Sequence, residues 1–116
     1  SKTRRHLTEF WMIEPEMAWY DQTDNMDLQE EMVRFLVGRV LERRQAELAT
    51  LERDVSKLAC VQEPFARLDY GDAVTLLQAK GSDIQWGEDL GAPDEAIIVE
   101  QFQRPVFVMD YPKEAK

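Results

Sequence analysis

The chain has 116 residues, 44% of them hydrophobic, with 23 acids against 14 bases and a formal net charge of −9. This is the size of one small domain with enough apolar side chains for a core, and its acidic balance argues against a free-standing nucleic-acid binder, which carries a basic field. No apolar run approaches the roughly 20 residues that span a bilayer, and the lone Cys60 excludes a disulfide framework or paired-cysteine metal site.

The first residues run against the acidic trend. Lys2, Arg4, Arg5 and His6 fall within a few positions, a local basic patch that suits a small anionic ligand better than a long duplex. Residues 8–14 alternate as a strand. Phe10, Met12 and Glu14 then share one face, and Trp11 and Ile13 share the other as core residues. Pro15 lacks a backbone donor and ends or bulges the ladder.

Asp24 or Asn25 caps a long helix running to about Arg53, with Met26, Met32, Phe35, Leu36, Val40 and Leu51 as its apolar stripe. The acidic cluster over residues 21–31 lacks the glycine that a calcium loop requires, so it is read as capping and solvation. Residues 54–64 form a connector ended by Pro64. Phe65 to Asp69 reads as a short strand, and Asp69 caps a helix from Gly71 to about Lys80 that stops at Gly81.

Residues 84–86 are a weak strand or turn, followed by the glycine-punctuated loop Trp86-Gly87-Glu88-Asp89-Leu90-Gly91-Ala92. Pro93 fits the first turn of a helix through about Phe102. Residues 105–111 read as a buried strand by their continuous apolar content, and Pro112 ends it. The expected fold class is α+β in one mixed domain, rather than βαβ repeats.

The chemistry concentrates at the start. Arginine grips a phosphate with a planar fork of donors, and histidine adds another. An aromatic ring a few residues on can stack on a flat base. There is no glycine-rich phosphate loop before a helix, no serine nucleophile elbow, and no Ser or Cys partner for the one histidine. Glu14 and Glu16 lie on one side of an extended chain, but nothing else supports a glycosidase.

The run Arg5-His6-Leu7-Thr8-Glu9-Phe10-Trp11-Met12-Ile13-Glu14-Pro15-Glu16 resembles the second signature motif of class II aminoacyl-tRNA synthetases, in the form carried by the asparaginyl-tRNA synthetase family. The loop Trp-Gly-Glu-Asp-Leu-Gly-Ala-Pro and the run Pro-Val-Phe-Val-Met-Asp-Tyr-Pro are similar too, so the resemblance covers the whole chain. It implies part of a catalytic domain built on an antiparallel sheet flanked by helices. Residues 1–16 would be the loop and second strand of that motif, 17–104 a helical and connecting region, and 105–111 a core strand.

The resemblance also implies roles. His6 is placed at the distal phosphates of ATP, Arg5 beside it at a phosphate or at the tRNA acceptor end, Phe10 at the adenine ring, and Glu14 at the amino-acid end of the pocket. No residue is assigned as catalytic and none as a metal ligand. The implied function is ATP-dependent activation of asparagine to asparaginyl-adenylate and transfer to tRNA(Asn). ATP and Mg²⁺ are the implied cofactors, with the Mg²⁺ ligands outside this chain. A cytoplasmic homodimer formed through the family's first motif, with no membrane, is the implied setting. Both ends of the chain read as cuts, so the slice alone is expected to be inactive. The other reading is a non-catalytic synthetase-like module that binds a partner or nucleotide.

Overall fold

The computed structural model describes residues 7–115. Eight elements follow one another. Helix α1 (Gln22–Arg43) begins at Asp21, whose carboxylate accepts from the Asp24 N–H while the Asp24 carboxylate accepts from the Asp21 N–H. The cap therefore sits three or four residues before the Asp24 or Asn25 position expected from sequence. Two acids at this spacing serve each other, so either one alone looks like the cap.

The expected single helix to Arg53 is broken. Arg44 leaves helical geometry at φ −124°, and α2 (Gln45–Thr50) follows it. Leu48, just beyond the break, is buried. Helix α2 ends with Glu52 in the left-handed region at φ 51° and the Arg53 N–H bonded to the Leu48 carbonyl, so two end carbonyls of the helix are satisfied.

The expected connector contains structure. Helix α3 (Val55–Ala59) is capped by Asp54 and runs into a 3-10 turn, Cys60–Gln62. Helix α1 packs chiefly on α3 and this turn. Helix α1 holds the following segment: the Glu30 carboxylate accepts from the Phe65 N–H at 3.2 Å, the Arg34 backbone carbonyl accepts from the Gln62 side-chain amide at 3.0 Å, and Asp27 pairs with Arg67.

Strand β1 (Ala66–Asp69) pairs with β2 (Val106–Met109), Ala66 opposite Val106 and Asp69 opposite Met109. The pairing is parallel, which corrects the expected antiparallel sheet. Between the strands run α4 (Tyr70–Ala79) and α5 (Ala92–Phe102). They return the chain to the end where β1 began, as a parallel pair requires. This is a single β–α–α–β unit among the described residues, not a series of βαβ repeats. The mixed α+β class itself holds.

The core lies where α4 and α5 cover this pair. Tyr70, Ala73, Val74, Leu77, Ile84 and Ile98 are buried together, with Leu68, Val106 and Val108 packed against them. Helix α4 stops as expected: Gly81 takes φ 91°, and the Ser82 N–H bonds to the Leu77 carbonyl. Asp94, in the first turn of α5, accepts from the Gly91 N–H at 3.2 Å and from the Ser82 hydroxyl at 2.7 Å, which ties the start of α5 to the end of α4.

Candidate nucleotide and amino-acid site

Residues 7–17 contain no helix or strand. The strand expected over residues 8–14 is not formed, because a strand exists only with a neighbour to take its N–H and C=O groups. Among the described residues the only paired strands are β1 and β2. The side chains expected in a core are open instead: Trp11 is 97% and Ile13 76% exposed.

Further along, the segment rests on α1. Ile13, Pro15 and Met17 line a cleft of about 250 Å³ with Leu28 and Met32. A turn at Ala18 and Trp19 then leads to the Asp21 cap, with Trp19 at φ 71° and fully exposed. A left-handed conformation at an aromatic residue is uncommon and persists only where the surroundings dictate it.

Of the residues singled out from sequence, Arg5 and His6 lie outside the described residues. Phe10 is 60% exposed and Glu14 is exposed, both on the same irregular segment. Their side chains are therefore open to a ligand. Phe10 offers a ring face for stacking, and Glu14 offers an acceptor-only carboxylate. Among the described residues, no three side chains of His, Cys, Asp and Glu come together to hold a metal ion.

Sequence reasoning missed a second organised region. Tyr70 is fully buried at the first position of α4. Its hydroxyl donates to the Glu88 carbonyl at 2.6 Å and accepts from the Gly87 N–H at 3.0 Å. The ring meets Trp86 edge-on at 5.1 Å and Tyr111 at 4.9 Å. Gly87 takes φ 94° in a turn closed by the Glu88 N–H on the Gln85 carbonyl, a backbone that only glycine adopts without strain. The glycine-punctuated loop is thus locked to the carboxyl end of β1.

Tyr111 follows β2 at the same end. Burial pushes its phenol above the ordinary value of 10.0, and the charges of Asp89 and Glu95 add to the effect, as does Tyr70. The signal that could have found this lock is a tyrosine in the first turn of a helix, followed by a Trp-Gly loop that needs a buried partner.

No helix among the described residues is long and apolar enough to cross a membrane.

A family model described as tRNA synthetases class II (D, K and N) matches residues 1–116. The asparagine–tRNA ligase of Desulforamulus reducens is 60% identical over 116 residues, covering 100% of this chain and 27% of that protein. The asparagine–tRNA ligase of Lactobacillus delbrueckii subsp. bulgaricus is 57% identical over 113 residues, covering 97% of this chain and 26% of that protein. The crystal structure of asparaginyl-tRNA synthetase from Pyrococcus horikoshii complexed with asparaginyl-adenylate matches with a TM-score of 0.88 and 47% identity, over 97% of this chain and 26% of that one. A second structure of the Pyrococcus horikoshii enzyme matches with a TM-score of 0.77 and 43% identity, over 83% of this chain and 23% of that one. The chain thus spans about a quarter of the length of the relatives it matches.

Proposed function

The chain belongs to the class II tRNA synthetases (D, K and N), and on that premise we propose that the protein carrying it is an asparagine–tRNA ligase. The observation that carries this reading is the likeness, over 97% of the chain, to a synthetase structure that holds asparaginyl-adenylate.

The proposed reaction has two steps. The asparagine carboxylate attacks the α-phosphorus of ATP and pyrophosphate leaves. A terminal ribose hydroxyl of tRNA(Asn) then attacks the carbonyl of the adenylate and AMP leaves. Neither step needs a covalent enzyme intermediate, so positioning and charge stabilisation carry the rate.

Within this chain we assign Arg5 and His6 to the phosphates of ATP as hydrogen-bond donors. Phe10 stacks on adenine. Glu14 accepts hydrogen bonds from asparagine at the other end of the adenylate. The exposed ring and carboxylate of the last two are consistent with this assignment. We assign the ligands of the Mg²⁺ ion that would accompany ATP to sequence beyond this chain. The domain assignment is one class II catalytic domain, of which residues 1–116 are part, in a cytoplasmic homodimer.

The test is ATP–pyrophosphate exchange by the full-length protein with asparagine or aspartate as the added amino acid. Exchange that depends on asparagine supports the reading. Nucleotide binding without exchange for either amino acid would favour a non-catalytic module.

A further inference from the structure

The carboxylate assigned to the amino-acid end of the site has nothing of its own to hold it. No hydrogen bond or ion pair joins Glu14 to another described residue. Its position therefore follows its backbone. Glu14 precedes Pro15. The proline ring fixes its own φ and confines the residue before it to extended conformations. Glu14 is thus carried stiffly between Ile13 and Pro15, and whatever seats these two sets where the carboxylate stands.

Helix α1 supplies the seat. The cleft that Ile13, Pro15 and Met17 line is otherwise walled by α1 alone, with Leu28 and Met32 as its apolar floor. Leu28 and Met32 are half-buried. Leu36, one turn beyond Met32 and outside the cleft, is exposed.

The helix is itself fixed at several points. The Asp21–Asp24 box closes its first turn, and Asp27, Glu30 and Arg34 tie it to the segment that leads into β1. A floor on a fixed helix holds a stiff segment more closely than a floor on a loop does. No residue from 7 to 12 lines the cleft, so Phe10 lies outside this support. The likeness to the Pyrococcus horikoshii structure covers 97% of this chain, too much to omit either residues 13–17 or α1. Both parts therefore belong to what this chain shares with a chain about four times as long, of which it covers 26%.

We propose that Leu28 and Met32 are positioning residues for the asparagine end of the site. They seat residues 13–17 and through them fix the Glu14 carboxylate, while the Phe10 end is placed without them. This rests on the proposed role of Glu14.

The experiment is asparagine-dependent ATP–pyrophosphate exchange by the full-length protein, with KM measured separately for asparagine and for ATP. Leu28→Ala and Met32→Ala should each raise the asparagine KM about tenfold, below the roughly 100-fold that a 1 Å misplacement can cost. The ATP KM should stay nearly unchanged. Leu28→Val, one methylene smaller, should act in the same direction and less. Leu28→Met and Met32→Leu conserve volume and should keep the wild-type asparagine KM, as should Leu36→Ala. Partial unfolding cannot imitate this pattern, because losing active molecules lowers the maximal rate and leaves KM as it was.

Glu14→Gln separates this role from the reading beneath it. A cleft that acts through Glu14 makes the effects non-additive, so Leu28→Ala should add little to the asparagine KM of Glu14→Gln. A Glu14→Gln protein with an unchanged asparagine KM would overturn the role of Glu14 and the positioning role with it. With Glu14→Gln raising that KM, three results would each overturn the positioning role alone. They are truncations that leave the asparagine KM unchanged or raise the ATP KM equally, effects that multiply in full with Glu14→Gln, or an equal effect from Leu36→Ala.

Discussion

Tyr70 and Glu88 are 18 positions apart, yet the Tyr70 hydroxyl donates to the Glu88 carbonyl at 2.6 Å from inside the core. The same oxygen accepts from Gly87, so one phenol satisfies two backbone groups of the loop. Tyr70→Phe keeps the ring and its contacts with Trp86 and Tyr111 but leaves both groups without this partner. The expected cost is about 1–3 kcal/mol, read as a lower urea midpoint of the full-length protein. Tyr20→Phe, at a half-exposed ring outside the core, should change the midpoint little.

Two glycines are expected to respond in opposite directions. Gly38 lies inside α1, and a Cβ there would come 3.4 Å from the flexible Gln62 side chain. Gly38→Ala should stabilise by up to about 1 kcal/mol, the helix-propensity difference. Gly87 sits at φ 94° with ordinary space around an added Cβ. Gly87→Ala should therefore destabilise by about 1 kcal/mol through backbone strain alone. Parallel urea melts of the two variants check the opposite signs.

Asp54 makes acid titration informative at α3. Its hydrogen bonds with Ser56 hold its carboxyl below the ordinary value of 3.8, with the Lys57 charge adding to them. A lowered folded-state pKa means that the contribution is present above the unfolded value and is lost as pH falls through the folded value. Amide exchange at residues 55–59 should therefore lose protection on acidification below 3.8. Asp54→Ala should show the unprotected level at every pH.

Tyr111 carries the opposite sign. Its phenol is raised above 10.0 by burial and by nearby carboxylates. The neutral form is favoured in the fold, so its contribution is complete at neutral pH and is lost as pH rises through the folded value. The wild-type protein should lose an increment of stability above pH 10.0 that Tyr111→Phe does not lose. Alkaline denaturation of the two proteins measures it.

What could be read from sequence was local. The stop of α4 at Gly81, the short strand ending at Asp69 and the start of α5 around Pro93 each depend on a few neighbouring residues. The parallel pairing of β1 with β2 depends on where a chain of two helices returns, and no local pattern states that. The same holds for residues 8–14, whose alternation is real but whose strand requires a partner. The break at Arg44 has neither glycine nor proline to announce it. Alternation puts Phe10 and Glu14 on one face, and only the family motif gives them roles. A cleft is lined jointly by residues 54–61 and residues 96–105, a proximity that neither segment reveals by itself.

The proposed placement of Phe10 and Glu14 at the two ends of one adenylate is tested most directly by a pair of apparent affinities, for ATP and for asparagine, in the full-length protein. Phe10→Ala should weaken ATP binding by roughly 1–3 kcal/mol, the worth of one base–aromatic stack, while asparagine affinity changes less. Glu14→Gln keeps the shape but replaces an acceptor-only group with a mixed donor and acceptor, so it should weaken asparagine use and spare ATP. An Ala at position 10 that harms asparagine binding more than ATP binding, or a Gln at position 14 that leaves asparagine use unchanged, would contradict the account.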